Sequence, residues 1–590
     1  MNSRYFLGLL LIVFASCSSP LTQEQKNADA VYLKQIKEYT LNLDGSSSYH
    51  YYHKFRFNSY LSFNRFFGET FVAYNPEYQT LRVNKSETKM ADGKKVKSPE
   101  NAFNEVLPSF AADAPDYNNL REMVITHVGL EREAVVELDY EIQTKASFTP
   151  FISDKVNLCE SSPVKEVEVI VRVPKGVKLN YNLINKPAGL TCKKSTKGEY
   201  DVYSWKAYNL SAMSHEPLQS EGFTAYPALQ FSTVDLLTAF NYLKGNLTKG
   251  FTADESAKNL LASKEKGWEK VELIKNYVVS NINTYVVLPQ LAGYRFRSSE
   301  KVWQSNGGIE AEKAILLTAL LKNAGFNTQM VIAGYPHFLN KEVGRPNSFD
   351  KFWVKVELDG ETRFFSAVEE HSKIPGQRIP IAIVDDISKV NLEISQKPNL
   401  KLNFNSDLKI SAEGKVDGTA FIKMNSFDDS KDLLRGISSS DYTSTKTSCT
   451  KDSIFYSASF TNSNLVKKID GYYIMNLPYI AQGIAANGIE ELPLARITSI
   501  ELLGSINESY TFVFTLPNGY SLISPINETK VENSLGMCDI TRTEKNGKIM
   551  ITRKLIVNKA IIPVESYSDF RQLMTIWADK NLNKVIIKVE

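Results

Sequence analysis

The chain has 590 residues, and 69 Lys and Arg stand against 66 Asp and Glu, a formal net charge of +3. That near-balance, with no long basic run, removes the electrostatic case for nucleic-acid binding. The length exceeds what one core fills and predicts three or four domains, and 29 Tyr and 31 Phe lean the fold towards β-sheet.

The N-terminus begins with a short cationic stretch ending at Arg4, followed by ten apolar residues at 6–15, FLGLLLIVFA. Such a run is too short to span a bilayer and has the length of a signal-peptide core. It closes with Phe14-Ala15-Ser16-Cys17 and then the polar Ser18-Ser19-Pro20. Small residues directly before a cysteine resemble the lipobox of bacterial lipoproteins. That resemblance implies removal of the leader, a lipid on Cys17 and a tether over 18–25. It also implies an outer-membrane location facing the periplasm or the cell surface, with the membrane as partner through the lipid.

From 26 to 240 the sequence reads as strands and turns. Val136, Leu138, Tyr140 and Ile142 alternate with polar residues, and Val167, Val169, Val171 and Val173 repeat the pattern up to Pro174. Asp44-Gly45 and Asp92-Gly93 are hairpin-turn dipeptides. The expectation is one large β-sandwich domain. His50 and His53 fall in its aromatic-rich strands, where a structural role is expected.

Between 250 and 390 the character changes to α+β. Trp268, Val271, Ile274, Val278 and Ile282 share one helical face. Ala314, Leu317, Leu321 and Ala324 make a second ladder that Gly325 ends. Strands follow at 329–334, 352–358 and 363–368, the last two joined by the hairpin signal Asp359-Gly360. From 400 to 590 the β pattern returns. Tyr510, Phe512, Phe514 and Leu516 alternate up to Pro517-Asn518-Gly519, and Phe570, Leu573 and Trp577 predict a late helix before a closing strand at 584–589.

Four cysteines remain after Cys17: Cys159, Cys192, Cys449 and Cys538. None forms a C-x-x-C pair, so no zinc pattern is present. Outside the cytoplasm they are expected either as disulfides Cys159–Cys192 and Cys449–Cys538 or as free buried thiols.

Residues 308–317 read GIEAEKAILL. This stretch is similar to the G-D-C-K-D-K-A-x-L-L segment of the transglutaminase-like superfamily, whose core is papain-related. The flanks strengthen the resemblance. DGSSSYHYYHKF, ADGKKVKSP and HEPLQSEGFTAYPALQFST look like the β-domain that often precedes this core in envelope proteins, and TFVFTLPNGY looks like the one that often follows it. The resemblance implies a sandwich, an α+β core and a second β-rich domain.

The family works with a cysteine at the helix start, a histidine on the next long strand and an aspartate on the strand after. In this register those positions read Glu310, Lys351 and Ser366, and no cysteine lies anywhere in the central region. A thiolate paired with an imidazolium attacks amide carbonyls. A carboxylate is a far poorer nucleophile, and a lysine near its reference pKa of about 10.4 is no base at neutral pH. The resemblance thus implies a pseudoenzyme that needs no cofactor or metal and binds or scaffolds an envelope protein, peptide, cell-wall fragment or glycan. Trp303, His337 and Trp353 are candidate cleft-lining residues. A hydrolase using Glu310 with Glu369 or His371 is one alternative, and a purely structural spacer is another.

Overall fold

The protein is described by a computed structural model over residues 20–219, 226–247, 255–334, 338–368, 381–383, 399–425, 434–435, 441–450, 453–462, 464–480, 483–486, 488–524, 528–545 and 548–589. Cys17, His337, Glu369 and His371 lie outside these residues, as does the side chain of Cys449.

The N-terminal part is built on an eight-stranded sheet. Its central strands Val164–Pro174, Ala30–Leu41, Ser47–Phe57 and Val135–Thr144 are neighbours in that order. The alternation read from the sequence is real: Val136, Leu138 and Tyr140 are buried, as are Val167, Val169, Val171 and Val173. Two three-stranded sheets accompany it, one from Ser153–Asn157, Asn180–Ile184 and Ala228–Ser232, the other from Glu69–Tyr74, Phe103–Val106 and Arg121–Thr126. The buried valines and Trp205 of the large sheet pack with Leu229 and Phe231 of the first, and Leu138 and Tyr140 pack with Val72 and Ile125 of the second.

The central core gathers helices from before and after residue 250. The helix Leu236–Leu247 buries Leu236, Phe240, Leu243 and Leu247 in the central core, which also takes in Ala111, Ala114, Tyr117 and Leu120 from the N-terminal part. Helices Gly267–Asn281 and Glu310–Asn323 share that core with an antiparallel sheet. In spatial order its strands are Glu361–Ser366, Lys351–Leu358, Asn327–Ala333 and Ile381–Ile383. Asp359 and Gly360 both have positive φ, 52° and 79°, the backbone that a tight two-residue hairpin requires.

The C-terminal part has its own eight-stranded sheet. Ser505–Thr515 lies parallel to Asn399–Ile410, and the helix Tyr567–Trp577 buries Phe570, Leu573 and Trp577 against the sheet's core. Both large sheets share one device: their first strand forms an antiparallel hairpin with the next strand on one side and a parallel pair on the other. Direct contacts link the three parts. Asn75 Nδ2 donates to the Leu291 carbonyl at 3.1 Å, and Glu216 accepts from the amides of Ile497 at 3.0 Å and Thr498 at 2.9 Å.

Neither expected disulfide is formed. Cys159 is buried, whereas Cys192 is exposed on the edge strand Thr191–Lys197, and both thiols are free. Cys449 and Cys538 sit on strands six positions apart in the sheet order, and Cys538 is free. Six steps of about 4.8 Å put them far beyond the roughly 7 Å that a disulfide spans. The alternative of free buried thiols therefore holds for Cys159 and Cys538, whereas Cys192 is free but exposed. In the native protein a maleimide should label Cys192 and leave Cys159 and Cys538 unmodified until denaturant is added, as peptide mapping by mass spectrometry would report.

Two buried histidines give the first sheet a pH dependence. Burial, then the neighbouring His127, pushes His53 down to about 3, and burial pushes His127 down to about 4. Both rings are neutral when folded, while the unfolded chain takes up protons below about pH 6.5. The unfolded state then binds more protons, so stability must fall on acidification through that range. The expected loss is about 1–2 kcal/mol per histidine between pH 6.5 and 5. Urea midpoints across this range should drop less steeply in His53→Phe than in the unaltered protein.

Candidate functional site

The site is built where the helix Glu310–Asn323 begins. The helix Ser299–Ser305 ends at Asn306, whose φ of 51° is left-handed, and the chain then runs as Gly307–Gly308 beside Asn283–Thr284. Gly307 has no space for a side chain, since a Cβ there would lie 2.1 Å from the Tyr285 hydroxyl oxygen. This turn launches a helix that is buried on every side from Ala311 to Leu321. A wholly buried helix leaves its two charged residues, Glu312 and Lys313, in need of partners.

Both have them. The Glu312 carboxylate accepts from the Tyr117 hydroxyl at 2.8 Å, from the Arg297 amide at 2.8 Å and guanidinium at 2.8 Å, and from the Ile309 amide at 3.2 Å. Arg297 also donates to the Gly307 carbonyl at 2.6 Å and meets Asp116 at 2.5 Å. Its guanidinium lies 5.5 Å from the ring centroids of both Tyr117 and Tyr285. Burial alone would lower its pKa, but the hydrogen bonds and charge of Glu312 outweigh that and raise it. Lys313 donates to the Ile282 carbonyl at 2.6 Å and the Thr284 hydroxyl at 3.0 Å, and burial lowers it to about 8. Asp116 and Tyr117 come from the N-terminal part, so this cluster also joins two domains.

Glu310 is the first residue of the helix. Its Oε2 lies 4.0 Å from Lys351 Nζ, with side chains 23% and 37% exposed, and its Oε1 accepts from the Phe352 amide at 3.0 Å. Lys351 opens the strand Lys351–Leu358, with Trp353 half-buried on the same face. Ser366 ends the neighbouring strand, buried, its hydroxyl accepting from the Val368 amide at 3.2 Å. It pairs with Trp353 and not with Lys351, a diagonal step from the position expected. Glu310 and Lys351 thus meet where the helix start faces the sheet, and Ser366 lies on the neighbouring strand opposite Trp353.

Trp303 lies on the helix Ser299–Ser305 that precedes the site. It is buried and stacks on Tyr277 with ring centroids 5.4 Å apart, which makes it a core residue. Among the described residues no group of three or more His, Cys, Asp or Glu is gathered that could hold a metal. The Arg297, Asp116 and Tyr117 cluster escaped the sequence reading. Its signal was the pair Glu312-Lys313 inside an otherwise apolar helix, because buried charges demand partners.

Two domain families match the flanks: the domain of unknown function DUF3857 over residues 44–214, and the domain of unknown function DUF3858 over 472–587. The chain is similar along 95% of its length to a crystal structure from Parabacteroides distasonis described as a "putative protease", with 28% identity, 99% of that chain covered and a TM-score of 0.73. No curated protein matches it. The molecule is therefore a multidomain, β-rich protein of the same architecture as that structure, with the two families on either side of a middle domain.

The two charge systems differ in consequence. Arg297→Leu leaves Glu312 buried without its cation and should cost about 3–5 kcal/mol, measured by urea denaturation. Lys351→Ala, at a half-exposed pair 4.0 Å long, should cost under about 1 kcal/mol. Glu310→Gln keeps an acceptor for the Phe352 amide and should be milder than Glu310→Ala by about 0.5–1.5 kcal/mol.

Proposed function

We propose that this chain is an envelope lipoprotein whose middle domain is a transglutaminase-like, papain-related core with charges in place of a catalytic triad. Its role is to bind or scaffold an envelope peptide, cell-wall fragment or glycan without turning it over. The observation that carries this reading is the geometry at the helix start. Glu310 occupies the position from which the family's thiol attacks, yet its carboxylate is tied to the Phe352 amide and faces Lys351. An anion engaged in this way, beside an ammonium in place of an imidazole, has neither the nucleophilicity nor the proton shuttle that amide cleavage needs.

The triple variant Glu310→Cys, Lys351→His, Ser366→Asp tests the reading. Glutamine deamidase, transamidase or peptidase activity in that variant, absent from the parent, is the expected result. Amide hydrolysis by the parent that vanishes in Glu310→Ala would overturn it. The likeness to a structure described as a protease favours that second outcome, with Glu369 or His371 as the partner of Glu310. The lipid is tested separately. Cys17→Ala should move the protein from the membrane fraction to the soluble fraction, and unchanged membrane association would remove the anchor from the proposal.

A further inference from the structure

We infer that the aromatic turn at residues 59–66 rests on the membrane surface as a second, non-covalent contact beside the lipid. The inference rests on the lipid-anchor reading and goes beyond it by assigning a surface. The sequence of the turn is SYLSFNRF. Tyr60, Leu61 and Phe66 point outward and are 74%, 76% and 66% exposed. Three large apolar side chains exposed within seven residues form a patch, unlike single exposed leucines, which need no explanation.

The turn is held rigidly in this outward form. The Ser59 hydroxyl accepts from the Leu61 amide at 3.2 Å, and the Ser62 hydroxyl donates to the Ser59 carbonyl at 2.6 Å. The Asn64 side chain accepts from the amides of Phe66 at 2.9 Å and Phe67 at 3.3 Å. Phe63 and Phe67 turn inward, onto Phe57 and Phe55, with ring centroids 5.9 and 5.4 Å apart. Alternate rings anchor the turn, and the others project from it. Arg65 stands at the edge of the patch, its guanidinium 4.9 Å from the centre of the exposed Phe71 ring. Tyrosine, phenylalanine and leucine rimmed by arginine is the composition of a bilayer interface contact.

The position of the turn names the occupant. The Asn58 side chain donates to the Gln25 and Ala28 carbonyls, both at 2.9 Å, and the Ser59 amide donates to the Asp29 carbonyl at 3.1 Å. The turn is therefore fastened to the segment that leads back to Cys17. Gln25 lies eight residue steps after Cys17, and a fully extended chain of that length spans at most about 28 Å. A lipid on Cys17 therefore brings the bilayer within reach of this turn.

The test uses the full-length protein reconstituted in phosphatidylethanolamine–phosphatidylglycerol vesicles with brominated acyl chains. Leu61→Trp adds one reporter, Phe66→Trp supplies a second should the first fold poorly, and Leu494→Trp, at a position 85% exposed in the C-terminal part, is the control. Bromine should quench more than half of the emission added at 61 or 66 and none of that added at 494. Protein that floats with the vesicles but shows no quenching at 61 and 66 overturns the turn contact and leaves the lipid anchor standing. Protein that does not float removes the anchor and the inference together. A blue shift at 61 that needs no lipid and disappears on dilution would mean that copies of the chain pack through this turn, which also overturns it.

Discussion

The buried pair between Arg297 and Glu312 is the interaction on which the rest of the central architecture depends. Glu312 has no exposed surface, so its charge must be matched inside the protein. One guanidinium meets that need while also binding the Gly307 carbonyl and Asp116. The same side chain therefore fixes where the helix begins, how the preceding loop runs and how the N-terminal domain docks. A buried ion pair of this kind is weak evidence for high stability, because desolvation offsets much of the attraction. Its contribution is positional. Replacing both partners with hydrophobic residues of similar volume could stabilise the core and still lose the register that puts residue 310 at the mouth of the helix.

Position matters there because a helix start is an electrostatic feature in its own right. Unsatisfied amides and the helix dipole favour an anion in the first turn by about 0.3–1 kcal/mol. Glu310, in the first turn, meets that preference. The neighbouring Lys351 supplies a cation, but at 4.0 Å and half-exposed it contributes little to stability.

Much of the fold was legible because burial imposes a period. Val167 to Val173 could be read as a strand from their alternation, and Phe570, Leu573 and Trp577 as a helix from their spacing, since each pattern buries one face only. The helix Glu310–Asn323 was legible through Gly325 and its leucines. The packing of the helix Leu236–Leu247 in the central core was not legible, because its apolar face is of the ordinary kind and nothing in its sequence says which core receives it. The cysteine pairing failed for a related reason. Equal numbers on each side of a domain say nothing about strand order, and it is strand order that separates Cys449 from Cys538. At the site, residue types at 310, 351 and 366 could be read, but the diagonal offset of Ser366 depends on a hairpin register that only the turn at Asp359-Gly360 determines.

The bond between Glu310 and the Phe352 amide gives the carboxylate a structural use that charge alone does not. Pairing between the strands Glu361–Ser366 and Lys351–Leu358 stops at Trp353 and Ser366, so the next amide, that of Phe352, lies beyond the end of the ladder. A buried or half-buried amide without an acceptor costs about 1–3 kcal/mol. Glu310 reaches across from the helix to accept it, closing the sheet corner against the helix start. A charge-assisted bond to a peptide amide is worth more than an exposed ion pair, on the order of 1.5–3 against under 1 kcal/mol. Of the two partners, the amide and not the lysine therefore dictates the orientation of the carboxylate. A cysteine at 310 would be a poor acceptor for that amide. A glutamate at 310 is thus well matched to a sheet corner whose amide is committed to the protein's own structure.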